Sequence, residues 1–233
     1  DAAAARLASF LEKQPKSREV RLNYARVLVG SKRIADARAE FGKLLAIYPD
    51  DHGVLYAVGL LAVQVKDFAA AEANFKRLLE LNYRDPNAVR FTLGQIAEES
   101  KDAAGAQAWY AQVTPGEHYL PARLRYAQIL AKQGKLDDAR AYLRGTGETG
   151  NPQRVQLTIA EAQLLREANR HGEAFSLLGK ALEGQPEQPD LLYDFAMTAE
   201  KLERFDLLET NLKKLIQVKP DHAHAYNALG YSL

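Results

Sequence analysis

A small residue recurs along this chain at a nearly fixed interval: Ala25, Gly59, Gly94, Ala127, Ala162, Ala196 and Gly230, at steps of 34, 35, 33, 35, 34 and 34. A second series runs in step with it, through Ala3, Ala37, Ala71, Ala106, Ala139 and Ala174, with Leu208 closing it. Four residues beyond each of these stands a large one: Leu7, Phe41, Phe75, Tyr110, Leu143, Leu178 and Leu212. Few folds tolerate such a period. Two helices can approach closely only where their facing residues are small, and a bulky neighbour must then fill the space beside the contact.

Prolines mark the ends of second helices at Pro15, Pro49, Pro186 and Pro220, with Pro152 near the same phase. A proline cannot continue a helix and restricts the residue before it, so it ends the second helix of a pair. Inside the units the apolar spacing is helical, as in Tyr24 and Leu28 followed by Ile34, Phe41, Leu44 and Leu45. No stretch reads as a strand. The expected fold is all-α, a right-handed α-solenoid of helical hairpins forming one domain over residues 1–233. Six full hairpins fall at 18–51, 52–86, 87–119, 120–154, 155–188 and 189–222, preceded by a lone second helix (1–16) and followed by a lone first helix (223–233). A half hairpin at each end points to a fragment of a longer chain, with open ends suited to end-to-end self-association.

Composition removes several function classes. Lys and Arg number 31 against 30 Asp and Glu, a net charge of +1, so no global field draws in nucleic acid. Direct membrane insertion by this segment is not expected, because no uninterrupted apolar run approaches the ~18 residues of a membrane span. Cysteine is absent, which excludes disulfides, thiolate metal sites and a cysteine nucleophile from this segment.

Motifs of catalysis and cofactor binding are also missing. No nucleophile elbow, phosphate loop or dinucleotide fingerprint occurs, and Gly145-Thr146-Gly147 lacks the strand-to-helix setting such a loop needs. His52, His118, His171, His222 and His224 include no pair at the i, i+4 spacing of helix-borne ligands, so neither a metal nor any other cofactor is expected. His52, His222 and His224 read as helix-start residues, and Asp51, Asp221 and the pairs Asp50-Asp51 and Asp137-Asp138 as caps. The chain is not expected to be an enzyme.

Two segments break the rhythm. Pro115 in Thr114-Pro115-Gly116-Glu117-His118-Tyr119 and the glycines between Leu143 and Pro152 shorten two second helices, where the array should bend or loosen. Trp109, His118 and Tyr119 then either dock a partner or plug the space a short helix leaves; large aromatics are mostly buried, which favours the plug.

What remains is a surface. In a stacked array the first helices line the concave side, and the residues facing it lie three before and one after the small-residue notch. The first row reads Leu22, Tyr56, Phe91, Leu124, Ile159, Tyr193 and Asn227; the second reads Arg26, Leu60, Gln95, Gln128, Gln163, Met197 and Tyr231. Apolar anchors beside adaptable amides suit a segment of another protein, although the same side chains could simply pack against neighbouring hairpins.

The period, the notch and the closing Ala-Tyr-Asn-Ala-Leu-Gly-Tyr of residues 225–231 resemble the tetratricopeptide repeat. That resemblance implies non-catalytic protein binding. Some members grip a partner's terminal carboxylate with Lys and Asn, but the matching positions here hold Leu22, Arg26, Ala57, Ala88 and Thr92, so a receptor for such tails is disfavoured. More narrowly, the run Ala108 to Leu130 and the run His222 to Leu233 resemble long proteobacterial repeat lipoproteins. Those proteins are outer-membrane-anchored adaptors that bring a periplasmic C-terminal processing protease to peptidoglycan hydrolases. The resemblance implies a periplasmic place, anchored through a lipid-bearing cysteine upstream; without it the cytoplasm is the default. An alternative is a structural assembly factor, pilotin-like or an envelope scaffold, working through its ends or convex face.

Overall fold

A computed structural model of the chain describes residues 2–146 and 150–231, with the side chains of Asn151 and Tyr231 left out. Among these residues there are fourteen α-helices and no strand: α1 Ala2–Lys13, α2 Arg18–Gly30, α3 Ile34–Ile47, α4 His52–Gln64, α5 Phe68–Glu80, α6 Pro86–Glu99, α7 Ala103–Ala111, α8 Tyr119–Lys132, α9 Leu136–Arg144, α10 Asn151–Glu167, α11 His171–Gly184, α12 Pro189–Lys201, α13 Phe205–Val218 and α14 Ala223–Tyr231. The chain is an all-α succession of helical hairpins. It divides into two compact units, residues 1–122 and 123–233, with the division inside α8.

Each hairpin turns in the same way. The second residue after every first helix but the last takes a left-handed conformation: Lys32, Lys66, Lys101, Gly134, Asn169 and Glu203. The amide that follows reaches back five residues, as in Arg33 N–H to Leu28 C=O (2.9 Å), Asp67 to Ala62 (2.8 Å) and Arg204 to Ala199 (2.9 Å). This closure satisfies carbonyls that would otherwise be orphaned and reverses the chain in three residues. Four second or first helices then start on an aspartate cap, Asp51, Asp67, Asp85 and Asp102, each accepting the amide three residues on.

The two small-residue series are buried almost throughout. Ala25, Ala37, Ala71, Ala106, Ala127, Ala139, Ala162, Ala174 and Ala196 are all fully inaccessible. In unit 1 the large residue sits directly on the notch. A Cβ at Gly59 would lie 2.9 Å from the Phe75 ring, and one at Gly94 only 2.4 Å from Tyr110, whose hydroxyl donates to Glu98 (2.5 Å). Each core joins a hairpin to the first helix of the next: Ala25, Leu28, Phe41 and Leu44 with Val54 and Val58 in unit 1, and Leu192, Ala196, Leu208 and Leu212 with Ala225 in unit 2. A hairpin alone therefore leaves its apolar face open, and stacking closes it.

Four expectations change. In α1 the buried residues are Ala4 and Leu11, while Ala3 is exposed and Leu7 half-buried, a shift of register at the end of the array. Pro152 does not end a second helix: α9 stops at Arg144 and Pro152 lies in the first turn of α10, where a missing N–H costs nothing. Asp221 does not cap α14; His222 Nδ1 takes the Ala225 N–H (3.1 Å) instead. Asp137 and Asp138 fall in the first turn of α9, and Asp137 receives Arg140 and Arg170 rather than a backbone amide. Gly147 lies outside the described residues.

Candidate functional site

The two rows on the first helices differ sharply in exposure. Leu22, Tyr56, Phe91, Leu124, Ile159 and Tyr193 are all half-buried, whereas Arg26, Leu60, Gln95, Gln128 and Gln163 are exposed and Met197 is half-buried. The side chain at 231 is outside the described residues. Leu60, at 45% exposure, is an apolar side chain turned to solvent in a helix that is otherwise largely buried.

Half-burial of the first row has a specific cause in unit 1. Tyr56 meets Phe75 edge-on and stacks on Tyr83, both with centroids 5.7 Å apart. Phe91 leans on Tyr110 (5.6 Å) and stacks on His118 (5.4 Å). These rings are built into the hairpin contacts, with one edge left open. The histidines recur in this role: His52 meets Tyr83 at 5.6 Å, and His222 meets Tyr193 at 5.2 Å. Sequence reasoning placed His52 and His222 at helix starts but missed their aromatic partners; the recurrence of a histidine at or just before the start of α4, α8 and α14 was the available signal.

The irregular turn after α7 is closed from within. Asn87 at the start of α6 exchanges hydrogen bonds with Thr114, its amide N–H groups donating to the hydroxyl (3.0 Å) and carbonyl (3.2 Å) while its oxygen accepts the Thr114 N–H (3.2 Å). Trp109 packs against the Phe75 and Leu93 cluster and His118 on Phe91, so these aromatics fill the gap beside a short helix.

In unit 2 four row residues share one cavity. Leu124 and Gln128 of α8 face Gln156, Ile159 and Gln163 of α10 across a space of about 330 Å³. Tyr193 and Met197 line a second cavity of about 310 Å³ between α12 and α14. Gln163 donates to Glu167 (2.9 Å), so its amide oxygen remains an acceptor for a bound backbone N–H.

Buried charge, invisible to the period alone, fixes the hairpins. Arg21 of α2 pairs with Glu40 of α3 and donates to the Pro15 carbonyl at 2.6 Å. Both charged side chains are under a tenth exposed. At the same two phases of the fourth hairpin, Arg123 stands 3.5 Å over the Tyr142 ring and donates to the Tyr142 carbonyl and Thr146 hydroxyl. Glu161 of α10 holds Arg140 and Arg144 of α9. Arg144 lies above its ordinary pKa, chiefly through its hydrogen bond to Glu161. Arg170 is likewise raised, by Glu173 first and then Asp137.

Tetratricopeptide-repeat family models match residues 1–61 and 56–117, together just over half the chain. The chain belongs to the tetratricopeptide-repeat (TPR) family. A TPR repeat-containing protein of Pseudomonas aeruginosa is 37% identical over 124 residues, covering 53% of this chain and 21% of the relative. The chain thus spans about a fifth of that relative's length. Among solved structures, the C-terminal part of a TPR repeat-containing protein from Cytophaga hutchinsonii aligns over 91% of this chain and 84% of its own at TM-score 0.57 and 17% identity. A TPR protein from Parabacteroides merdae aligns over 98% and 90% at TM-score 0.53 and 13% identity. At these identities the likeness establishes the fold alone. As a TPR fold, the chain is a protein–protein interaction scaffold.

The positions matched to the family's carboxylate grip lack its Lys and Asn side chains, holding Leu22, Arg26, Ala57, Ala88 and Thr92. Thr92 spends its hydroxyl on the Ala88 carbonyl of its own helix (2.9 Å), and Arg26 is an exposed side chain bonded to Asn23.

Proposed function

We propose that this chain is a non-catalytic adaptor that holds an extended or helical segment of a partner protein along the first-helix faces of its hairpins. One observation carries the reading, in each unit by itself: half-buried Leu22, Tyr56 and Phe91 alternate with exposed Arg26, Leu60 and Gln95 in residues 1–122, and half-buried Leu124, Ile159 and Tyr193 with exposed Gln128 and Gln163 in residues 123–233. The apolar row supplies anchors whose burial on binding is favourable, and the amides pair with the partner's backbone groups.

The partner we assign is a periplasmic C-terminal processing protease, which the adaptor brings to peptidoglycan hydrolases. The resemblance of the stretch Ala108–Leu130 to that adaptor group is what supports this choice. On this reading the protein works in the periplasm, held to the outer membrane by a lipid anchor. Tethering enzyme and substrate raises their effective concentration and needs no chemistry from the scaffold.

The test uses the organism's purified C-terminal processing protease, titrated by calorimetry. Tyr56 and Phe91 are poor targets because their rings hold the hairpins together. Leu60→Asp combined with Gln128→Glu alters exposed positions only. Binding weakened at least about tenfold, with unchanged helicity, supports the reading, since loss of one or two good interface contacts is worth about 1 to 2 kcal/mol. Undiminished binding, or none by the parent protein, overturns it.

A second reading has its own observation. Phe10 on α1, Val218 on α13 and Tyr226 on α14 are large apolar side chains exposed on the outermost helices. These suit a structural assembly factor working through its ends. Sedimentation decides: a concentration-dependent dimer dispersed by Leu229→Glu favours assembly, and a monomer at all concentrations removes it.

A further inference from the structure

Three residues of α12, Tyr193, Met197 and Glu200, stand at i, i+4 and i+7 and so share one face. They line the cavity of about 310 Å³ together with Phe205 at the start of α13 and His224 and Asn227 of α14. Phe205 is 55% exposed, more than any other large apolar side chain among the described residues. The Glu200 carboxylate is exposed and has no hydrogen bond or ion pair with any described residue. Arg204, at the start of α13 beyond the turn, is engaged elsewhere, standing 5.8 Å over the Phe175 ring and 3.8 Å from Asp206. Among the described residues the cavity lining therefore offers one unpaired carboxylate, the rings of Tyr193 and Phe205, the His224 imidazole, a thioether and an amide, and no lysine or arginine.

We infer that this cavity is a subsite for an arginine side chain of the bound partner. The guanidinium is planar and weakly hydrated, and carries five N–H donors. Its face matches the open ring of Phe205, where a cation is attracted by the π-electron density. Its edge matches the Glu200 carboxylate, which can accept two parallel N–H bonds, and the Asn227 amide oxygen supplies a further acceptor. The equivalent cavity of α8 and α10 differs in kind. There Glu167 already accepts from Gln163, and the walls are leucine, isoleucine and glutamine. One unit thus offers an apolar subsite and a cationic one, which selects a segment carrying an arginine at one position and an aliphatic residue at another.

This assignment rests on the reading that a partner segment lies along the first helices, but its test does not need the partner. Met197 is the chain's one methionine and lines the cavity, so a ¹³C-methyl methionine label gives a single resonance reporting on this site. Nα-acetyl-arginine methylamide should shift that resonance saturably, and the uncharged norleucine analogue should not. Glu200→Gln should weaken the arginine titration about tenfold and Phe205→Ala by about threefold, with Tm unchanged. Equal response to norleucine or to the lysine analogue, no response to arginine, or full response in Glu200→Gln overturns the assignment. If protease binding responds to Leu60→Asp while the arginine probe fails, the subsite falls and the scaffold reading stands. If the probe binds while the protease does not, the reverse holds.

Discussion

At Gly94 a single missing Cβ decides how close two helices come. The Tyr110 ring occupies the space a side chain would need, and the tyrosine hydroxyl is fixed on Glu98, so the ring has nowhere to go. Gly94→Ala should lower stability by about 2 kcal/mol, because overpacking a tight core forces backbone shifts or strained rotamers. Gly59→Ala should cost less, since its contact with Phe75 is longer at 2.9 Å. Urea denaturation of both variants checks the order. Glu40 poses the opposite problem. With Arg21 buried beside it, Glu40→Ala leaves an uncompensated guanidinium in the core and should destabilise by about 3 kcal/mol. Replacing both residues with methionine should recover most of that loss, because two apolar side chains of similar volume need no counter-charge. A double variant as unstable as the single one would show that the charge was not the cause.

At the level of the element, the hairpin turn is the unit that repeats. Five of the six left-handed turn residues are not glycine, and a side chain there strains the backbone. Glu203→Gly should therefore leave stability unchanged or raise it by up to about 1 kcal/mol, while Gly134→Ala should lower it by about 1 kcal/mol. Thermal melts of the pair test the sign. These turns were hard to read because lysine and glutamate are not turn residues by type; only their position, two residues past the end of a first helix, betrays them. The small-residue notches were legible for the opposite reason, since close approach admits only Gly or Ala and so writes itself into composition. The register of α1 was not. At the edge of an array one helix face has no neighbour, and Ala3 and Ala4 satisfy the spacing equally well until packing chooses Ala4. The groove rows were legible as positions, whereas the rings locking Tyr56 and Phe91 depended on His118 and Tyr83, which arrive from the following turn.

For the molecule as a whole, charge and connectivity set how it comes apart. Burial pushes the Asp51 carboxyl up, but the Val54 amide and Arg18 outweigh it and hold it below its ordinary value; Glu173 is held down by Arg170 and Arg140. A carboxyl depressed in the folded state adds stability that is complete above its unfolded pKa and is lost as pH falls through the folded one. Stability should thus be level near neutrality and decline below about pH 4, and Glu173→Gln should flatten part of that decline. The chain also carries a separate reporter in each compact unit, Trp109 in residues 1–122 and Met197 in residues 123–233. In a repeat array each hairpin is stabilised by its immediate neighbours, so damage stays local unless the interfaces are strong enough to spread it. Leu178, fully buried in α11, tests this directly. Leu178→Ala removes core volume worth about 2 to 5 kcal/mol. The Met197 methyl resonance should then lose its native position at lower urea than the Trp109 fluorescence does. Coincident midpoints would instead show that the two units unfold as one cooperative body.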